Sequence, residues 1–285
     1  MSSLRPIGEG EPFIMQEDEP FIMQDEGPAL SLINDRNDAD VILICEHASN
    51  RIPRSLDNLG LDEEACLSHV AWDPGAGAVA REMSTILEAP LILQNFSRLV
   101  YDCNRPPEAE SAMPVRSEIF DIPGNRRLSD RDKALRTEAI YHPFHAKVTE
   151  VIDRSLQAGV VPAIVTLHSF TPIFHGKPRA VEIGLLHDAD SRLVEAMLVN
   201  ASKQDAFDLK RNQPYGPEDG VTHTLKRHAI ARGLLNVMIE IRNDLIKTAD
   251  QQSSMARRMA VMVREALDGL RRAADQRHER VRRIS

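Results

Sequence analysis

Long apolar runs are missing from this chain of 285 residues. None of its runs approaches the roughly 18 residues that a membrane-spanning helix needs. The first residues, MSSLRPIGEGEP, also lack the apolar centre of a secretory signal peptide. We therefore expect a cytoplasmic protein that has no membrane partner.

Cysteine is scarce as well. The chain contains three, Cys45, Cys66 and Cys103, and their spacing matches no metal-binding motif. An odd number of separated cysteines favours reduced thiols, as in the cytoplasm. The formal net charge of -8 argues against a general nucleic-acid partner. A small anionic substrate is still compatible with that charge, because a few arginines in a cleft can outweigh the overall field.

Several common catalytic signatures are also absent. The sequence contains no G-x-S-x-G elbow, no Walker A motif and no G-x-G-x-x-G fingerprint. Its hydrophobic content of 42% and charged content of 27% are those of an ordinary globular protein. A chain of this length can bury one substantial core.

Composition divides the chain into three predicted parts. Residues 1–37 form an acidic arm that contains EPFIMQ twice, at Glu11–Gln16 and Glu19–Gln24. Residues 38–270 form a single catalytic α/β domain, and residues 271–285 form a basic tail. We expect the arm to do no catalytic work and to pack its Phe-Ile-Met against the body or against a partner subunit. A homo-oligomer is therefore one expectation.

From Asp40 onward, short apolar runs alternate with longer amphipathic segments. The runs predict strands at Val41–Cys45, Leu91–Gln94, Val161–Leu167, Ala180–Leu186 and Leu235–Ile241. Helices are predicted at Pro74–Leu87, from Ser129 to Gln157 with an interruption at Pro143, and at Ser191–Asp205, Thr222–Arg232 and Gln251–Ala274. This alternation indicates an α/β fold, a three-layer sandwich with a mixed, largely parallel sheet flanked by helices.

Chemically capable side chains stand at the ends of three predicted strands. Glu46 and His47 follow the first of them, His168 follows the third, and Glu240 lies near the end of the last. Open α/β sheets bind ligands at the carboxyl ends of their strands, so we expect these side chains to converge on one edge. Imidazole and carboxylate ligands suit a catalytic Zn²⁺, which takes three protein ligands. His47 and His168 are the predicted nitrogen ligands.

The third metal ligand is open among Glu46, Asn50 and Asp73, and we take Asp73 as the candidate. Asp73 also suits the N-cap of the helix predicted from Pro74. Glu46 also suits a supporting position behind a ligand, because it adjoins His47 and would point to the other face of a continued strand.

Two further residues are candidates for catalytic work. Glu240 is the predicted general base for a zinc-bound water, and its alternative is a buried ion pair with an arginine. His223 follows the Gly/Pro-rich segment NQPYGPEDG, a loop that could close over a site. His223 or Tyr215 could then stabilise a developing oxyanion; an ordinary surface loop is the alternative.

The stretch from Asn95 to Leu128 is rich in Pro and Arg and longer than loops in compact domains usually are, which indicates a functional segment. Arg98 and Arg105 in this stretch, and Arg242 after the last strand, are predicted to bind substrate carboxylates. Guanidinium groups bind carboxylates in bidentate fashion. The alternative is structural pairing with nearby aspartates.

Six segments, in this order, resemble the N-formylglutamate amidohydrolase family: CEHASNRIP, HVAWDPGA, SRLVYDCNRPP, IPGN, TLHSFTP and MIEIRNDLI. The resemblance covers roughly Asp40 to Asp250. It implies zinc-dependent hydrolysis of N-formyl-L-glutamate to formate and L-glutamate, a step of histidine breakdown. It also implies a zinc-exopeptidase-like fold, related to the zinc carboxypeptidases and the aspartoacylases.

In those zinc hydrolases, His-x-x-Glu supplies two metal ligands and a later strand supplies a second His. The resemblance implies that His47 and His168 fill the two His positions, whereas Asn50 stands where the Glu would be. The late-strand Glu that acts as general base in the relatives matches Glu240.

The Asp-x-Asn-Arg element, which binds a substrate carboxylate in the relatives, matches Asp102, Asn104 and Arg105. Our hypothesis is a zinc enzyme, with about one Zn²⁺ per chain, that hydrolyses a small anionic N-acyl amino acid. N-formylglutamate is the leading substrate. The alternatives are a zinc hydrolase of another N-acyl amino acid or a small peptide, and a catalytically silent carboxylate-binding relative.

Overall fold

The computed structural model of the chain describes residues 21–201 and 207–282. The strands are β1 (Leu30–Ile33), β2 (Val41–Cys45), β3 (Leu91–Gln94), β4 (Arg116–Ser117), β5 (Phe120–Asp121), β6 (Ala163–Phe170), β7 (Ile173–Phe174), β8 (Lys177–Pro178), β9 (Ile183–Leu186), β10 (Leu209–Arg211) and β11 (Asn236–Arg242). The α-helices are α1 (Glu63–Leu67), α2 (Ala76–Leu87), α3 (Asp130–Arg136), α4 (His142–Gln157), α5 (Arg192–Ala201) and α6 (Ala249–Arg282).

Seven strands form one sheet in the order β1-β3-β2-β6-β11-β9-β10. The pairs β3/β2, β2/β6, β6/β11 and β9/β10 are parallel, whereas β1/β3 and β11/β9 are antiparallel. The other strands form two small hairpins, β4–β5 and β7–β8. The predicted mixed, largely parallel sheet is confirmed.

Side chains alternate across the sheet and divide the core in two. In β2, Val41, Leu43 and Cys45 belong to an apolar cluster with α2, α5 and α6. Ile42 and Ile44 belong to the cluster on the other face, which includes α4. Successive side chains of a strand point to opposite faces, so a central strand covered on both faces reads as a continuous apolar run. Helices on both faces make this the predicted three-layer sandwich.

The sequence does not predict the two edge strands, β1 and β10. Each has a neighbour on one side only, and both include polar or exposed residues, so neither shows a strong apolar pattern. β1 lies within the predicted arm and pairs with β3. In the second EPFIMQ copy, Phe21 is buried and its carbonyl accepts a hydrogen bond from Ser55 Oγ (2.7 Å). The first copy lies outside the described residues, and the division into arm, domain and tail stays a prediction.

Three strands have bounds that differ from the prediction, and β11 differs least, by one residue at each end. β6 begins two residues later than predicted, after Pro162, and continues beyond Leu167. Proline has no N–H to donate to a neighbouring strand, so it is tolerated just before a central strand but not inside one. His168 therefore lies inside β6 rather than after it. β9 is shorter than predicted and begins at Ile183, whereas the predicted strand began at Ala180.

The predicted N-cap of α2 is wrong. The helix begins at Ala76, and its N-cap is Gly75, with a φ of 82°. A Cβ atom at Gly75 would lie 2.6 Å from the Ile246 carbonyl oxygen, so both the conformation and the space require glycine. The Asp73 carboxylate does not cap the helix and is available to other partners.

The remaining helices agree with the prediction in part. The Ser129–Asp132 capping box at α3 is confirmed. A π-helical turn at Thr137–Tyr141 joins α3 to α4 just before Pro143, where a residue without an N–H interrupts the regular pattern. Another π-helical turn, Leu225–Ala229, occupies part of the predicted helix at Thr222–Arg232. The predicted end of α5 falls at residues outside the described ranges. No helix of the described ranges is long and apolar enough to cross a membrane.

A buried arginine anchors the irregular stretch that follows β3. Arg136 of α3 donates from Nη1 to Asn125 Oδ1 (2.6 Å) and from Nη2 to the Gly124 carbonyl (3.2 Å). Asn125 Nδ2 donates in turn to the carbonyls of Leu99 and Pro114 (2.8 Å each). Burial lowers the pKa of Arg136 to about 10. The network gives buried carbonyl groups of the loop their donors.

Replacing Arg136 should therefore destabilise the fold. Arg136→Met leaves Asn125 Oδ1 and the Gly124 carbonyl without donors, and we expect a loss of about 2–3 kcal/mol in the free energy of unfolding. Urea denaturation measures this loss. The control, Arg126→Met, removes an exposed arginine that pairs with Asp121 and should change stability by less than about 0.5 kcal/mol. Equal losses in both variants would contradict the anchoring role.

Candidate active site

Three central strands bring their polar side chains to one edge of the sheet. The register of β6 and β11 pairs His168 with Glu240, and that of β2 and β6 pairs Ile44 with Thr166. Two residues past the second pair, Glu46 comes level with His168. Parallel neighbours at one level project to the same face, so these side chains share the face covered by α4.

A cavity of about 590 Å³ opens at this edge. Its lining includes His47, Asp73, His168 and Glu240. The arginines that line it are Arg98, Arg105, Arg116 and Arg179. The carboxyl ends of β2, β6 and β11 thus meet at one concave site, as expected for an open α/β sheet.

His47, Asp73 and His168 form a tight buried group. His168 Nδ1 lies 2.9 Å from Asp73 Oδ2 and 3.2 Å from His47 Nδ1, and His47 Nδ1 lies 3.3 Å from Asp73 Oδ2. One ligand atom of each residue lies within 4.8 Å of the others. Two imidazole nitrogens and one carboxylate oxygen are a donor set that catalytic zinc sites use. The group could hold a metal ion.

Each histidine has a second carboxylate at its outer nitrogen. His47 Nε2 lies 2.7 Å from Asp102 Oδ1, and His168 Nε2 lies 3.1 Å from Glu46 Oε2. The Glu46 contact lacks hydrogen-bond alignment and acts as a charge contact within a buried site. Carboxylates in this position orient metal-binding histidines and determine which ring nitrogen carries the proton, so that the other nitrogen can bind a metal. Here they leave both Nδ1 atoms for the shared ligand position, so the donor set fits a metal.

Asp73 is the third-ligand candidate that joins the group. Its Oδ2 also accepts a hydrogen bond from the Ser169 backbone N–H (3.2 Å). Glu46 lies at the outer nitrogen of His168 instead, and Asn50 Nδ2 donates to the Cys66 carbonyl (3.0 Å). The helix start at Gly75 explains this outcome, because it leaves the Asp73 carboxylate out of the cap.

The charges of the group stabilise one another. Burial raises the pKa of Asp73, but His47 and His168 outweigh burial and hold that pKa below its usual range. Burial lowers the pKa of His168, but Glu46 and Asp73 outweigh it and raise that pKa well above its usual range. Metal binding displaces protons from histidine ligands. A bound cation would therefore replace the positive charge of the protonated imidazole rings, which these carboxylates stabilise.

Glu240 faces the cavity as a carboxylate of unusual basicity. Burial raises its pKa to about 7, with His168 opposing the shift and Asp73 adding to it. Among the residues that the structure describes, no arginine lies within ion-pair distance of Glu240, so the alternative of a buried ion pair is not found there. A carboxylate whose pKa lies near neutrality can accept a proton from water and release it again.

Arg98 and Arg105 line the cavity beside the metal-ligand candidates. Arg98 Nη2 donates to Asp102 Oδ2 (2.8 Å), and its Nη1 lies 3.5 Å from Asp73 Oδ1. Arg105 Nη1 donates to the Asp219 carbonyl (2.7 Å). Arg98 therefore forms the structural pairing of the alternative and also lines the cavity, and its role in binding a substrate carboxylate stays a prediction.

Asn104 and His223 have structural partners. Asn104 Nδ2 donates to the Val221 carbonyl (2.5 Å), and its Oδ1 accepts from the Thr224 N–H (3.0 Å). Both ends of the amide thus hold the segment that carries His223. His223 is not among the residues that line the cavity, and its Nε2 lies 2.9 Å from Tyr141 Oη. Burial lowers its pKa, and Arg227 lowers it further.

Arg242 also lies apart from the cavity lining. Its Nε donates to Asp244 (2.8 Å), and its Nη1 donates to the Ala180 carbonyl (3.1 Å). Its Nη2 lies 3.5 Å from Glu182. The antiparallel pairing of β11 with β9 brings the end of β11 to the start of β9. Backbone carbonyls there accept hydrogen bonds from the Arg242 guanidinium. Of the predicted arginines, Arg98 and Arg105 reach the cavity and Arg242 does not.

The sequence does not predict Arg116 and Arg179 as cavity residues. Each lies in or directly after a hairpin whose strands are two residues long, β4–β5 or β7–β8. Strands of this length give no periodic signal, and nothing local distinguishes these arginines from surface ones. The role of Asp102 at His47 is likewise visible only in three dimensions.

The sequence model of a known family, N-formylglutamate amidohydrolase, matches residues 39–247. The chain belongs to this family. The match includes all the residues that form the buried group and the general-base candidate. Membership in an amidohydrolase family agrees with the chemistry that the cavity offers.

Solved structures that are similar to this chain include the following two. A gene product of Agrobacterium tumefaciens is 52% identical, with a TM-score of 0.86, and the match covers 88% of this chain and 99% of that one. An N-formylglutamate amidohydrolase from Ralstonia eutropha JMP134 is 17% identical, with a TM-score of 0.61, and the match covers 86% of this chain and 99% of that one. At that identity the second likeness concerns the fold alone. No curated protein gives a significant match. The likeness agrees with the predicted three-layer α/β architecture and its mixed sheet.

The geometry predicts that Asp102 supports metal binding from behind His47. Asp102→Asn should weaken affinity for added Zn²⁺ about 10- to 100-fold, because the His47 ring loses its charged partner. Competition with a chromophoric chelator measures this affinity. Asp121→Asn, an exposed aspartate outside the cavity lining, is the control and should leave affinity unchanged. An unchanged affinity in Asp102→Asn would exclude the supporting role.

Proposed function

We propose that the protein is a zinc-dependent enzyme that hydrolyses the amide bond of N-formyl-L-glutamate to formate and L-glutamate. One observation carries the proposal: the buried His47–Asp73–His168 group and Glu240, with a pKa of about 7, line the same cavity. Family membership supports the hydrolase class. We place the reaction in the cytoplasm as a step of histidine breakdown, and the three free cysteines agree with that location.

His47, Asp73 and His168 would hold the zinc ion, which when bound polarises the scissile carbonyl and makes water more acidic. Asp102 and Glu46 would keep the two imidazole rings in the orientation that the ion needs. The Ser169 backbone N–H would fix the Asp73 carboxylate at the same time.

Glu240 would carry the proton in both halves of the reaction. Its carboxylate would accept a proton from the attacking water as the water oxygen bonds to the formyl carbon. It would then give that proton to the substrate nitrogen as the carbon–nitrogen bond breaks, which releases formate and the free amine. A base with a pKa near the working pH suits both transfers.

Arg98 would bind the substrate carboxylate nearest the scissile bond, since its guanidinium already contacts Asp73 and Asp102 beside the metal-ligand candidates. Arg105 would add positive charge to the same wall. Asn104 would assist by holding the segment from Val221 to Thr224 in place.

Formate release tests the reaction, and release of the free amine, a product common to all the substrates below, compares them. The purified protein should release formate from N-formyl-L-glutamate, lose activity when a chelator removes the metal, and regain it with added Zn²⁺. N-acetyl-L-glutamate, N-formyl-L-leucine and a short glutamyl peptide serve as comparison substrates. Faster hydrolysis of one of these would replace the proposed substrate, and activity that resists chelation would exclude the metal. A protein that binds zinc and hydrolyses none of them would be the silent relative.

Glu240→Gln tests the base. The variant should lose about 10²- to 10⁴-fold in kcat, the usual contribution of a general base, while its zinc content stays unchanged. The control is Glu182→Gln, which alters a partner of Arg242 outside the cavity lining. Substantial activity in Glu240→Gln would assign the proton transfer to another residue.

The pH dependence gives a separate test of the same residue. Protonated Glu240 cannot accept a proton, so kcat/KM should fall as the pH drops through the pKa of this carboxyl. That pKa is about 7 in the protein alone, and a nearby cation stabilises the carboxylate and lowers it. The acidic limb should therefore lie at or below about pH 7 and should be absent from the residual activity of Glu240→Gln.

A further inference from the structure

Arg179 is a cavity arginine to which the proposed reaction assigns no role. It follows the β7–β8 hairpin and is surrounded by aromatic rings. Its guanidinium carbon lies 4.4 Å from the centre of the Phe174 ring, 4.8 Å from that of Tyr215 and 5.5 Å from that of Phe170. Guanidinium groups stack favourably on aromatic faces, so these rings hold the group in one position while it lines the cavity.

The charge of Arg179 has different neighbours from those of Arg98 and Arg116. The described hydrogen bonds of its side chain run from Nη1 to Tyr215 Oη (2.9 Å) and to the Thr171 carbonyl (3.4 Å), and both acceptors are neutral. Arg98 and Arg116, by contrast, form ion pairs with Asp102 and Asp121. Among the described residues, no carboxylate lies within ion-pair distance of Arg179. A positioned arginine without a carboxylate partner is suited to an anionic ligand.

Tyr215 adds a second hydrogen-bond donor beside Arg179. Its oxygen accepts the Arg179 hydrogen bond, so its own O–H is left to donate. Burial raises the pKa of Tyr215 and Glu240 raises it further, so the phenol keeps its proton at neutral pH. Tyr215 also lines the cavity, where Glu240 raises its pKa and Arg98 lowers it. Arg179 and Tyr215 therefore form a donor pair on the wall of the cavity that Glu240 also lines.

We propose that Arg179, assisted by Tyr215, binds the side-chain carboxylate of an acidic N-formyl amino acid and thereby selects glutamate over neutral residues. The inference rests on the proposed hydrolase function and names the specificity of the same cavity. The α-carboxylate of such a substrate is one carbon away from the scissile nitrogen, so it must bind near the metal-ligand candidates, where Arg98 lies. The side-chain carboxylate lies farther along the substrate and requires an arginine away from that group.

The test compares N-formyl-L-glutamate with N-formyl-L-glutamine, which has nearly the same shape but a neutral side chain. The wild-type enzyme should prefer glutamate. Arg179→Met should lower kcat/KM for N-formylglutamate about 100-fold, mainly through KM, because the lost charge-assisted bonds join a part of the substrate that does not react. Its kcat/KM for N-formylglutamine should stay within about 3-fold of wild type.

Two further variants separate charge recognition from packing. Arg179→Lys keeps the charge but loses the planar fork, so it should retain a reduced preference for glutamate. Lys177→Met removes a positive charge from the same hairpin at an exposed position outside the cavity lining. This variant should leave kcat/KM unchanged for both substrates. Equal losses on both substrates in Arg179→Met would overturn the proposal, as would a wild-type enzyme that hydrolyses both equally well.

Ligand binding keeps this inference distinct from the proposed reaction. If the wild-type protein releases formate from neither substrate, the proposed function fails. Calorimetric titration with L-glutamate and L-glutamine then still tests the subsite. Tighter binding of L-glutamate by wild type, with the difference lost in Arg179→Met, would support it, and equal binding of the two amino acids by wild type would overturn it.

Discussion

The contact of the Asp73 carboxylate with two imidazole rings is the interaction on which the rest of the site depends. Asp73 Oδ2 lies 2.9 Å from His168 Nδ1 and 3.3 Å from His47 Nδ1, deep in the protein. Burying ionised groups is costly unless each one has a partner. Asp102 and Glu46 at the outer nitrogens complete this compensation. The arrangement places two imidazole nitrogens and a carboxylate oxygen close together, which is also what a metal requires.

The sheet order makes that contact possible. β2, β6 and β11 are neighbours, so His47, His168 and Glu240 reach one edge although they are far apart in the chain. Asp73 comes from outside the sheet, and the turn at Gly75 keeps its carboxylate out of the α2 cap. The Arg136 network then holds the loop that carries Asp102 behind His47. The position of Asp102 therefore depends on a buried polar network that lies outside the site itself.

The cavity arginines divide into two kinds. Arg98 is already tied to the aspartates of the buried group and can present only part of its fork to a ligand. Arg179 is held by aromatic rings and has no carboxylate partner among the described residues. In the proposed reaction, Arg98 would bind the carboxylate beside the scissile bond and Arg179 would bind the side-chain carboxylate. The substrate that would suit this arrangement has two carboxylates separated by a short chain.

Local pattern was enough to predict the central strands, the sandwich architecture and the convergence of His47, His168 and Glu240 on one edge of the sheet. Buried parallel strands are continuous apolar runs, and a polar residue that ends such a run is visible in one dimension. Local pattern left the third ligand open among Glu46, Asn50 and Asp73, and it did not reveal that Arg179 lines the cavity whereas Arg242 does not. Those outcomes depend on a helix that starts two residues later than predicted, on backbone carbonyls at the end of β11, and on three rings from separate segments. Contacts between distant segments leave no periodic trace in the sequence, so they became known only from the folded arrangement.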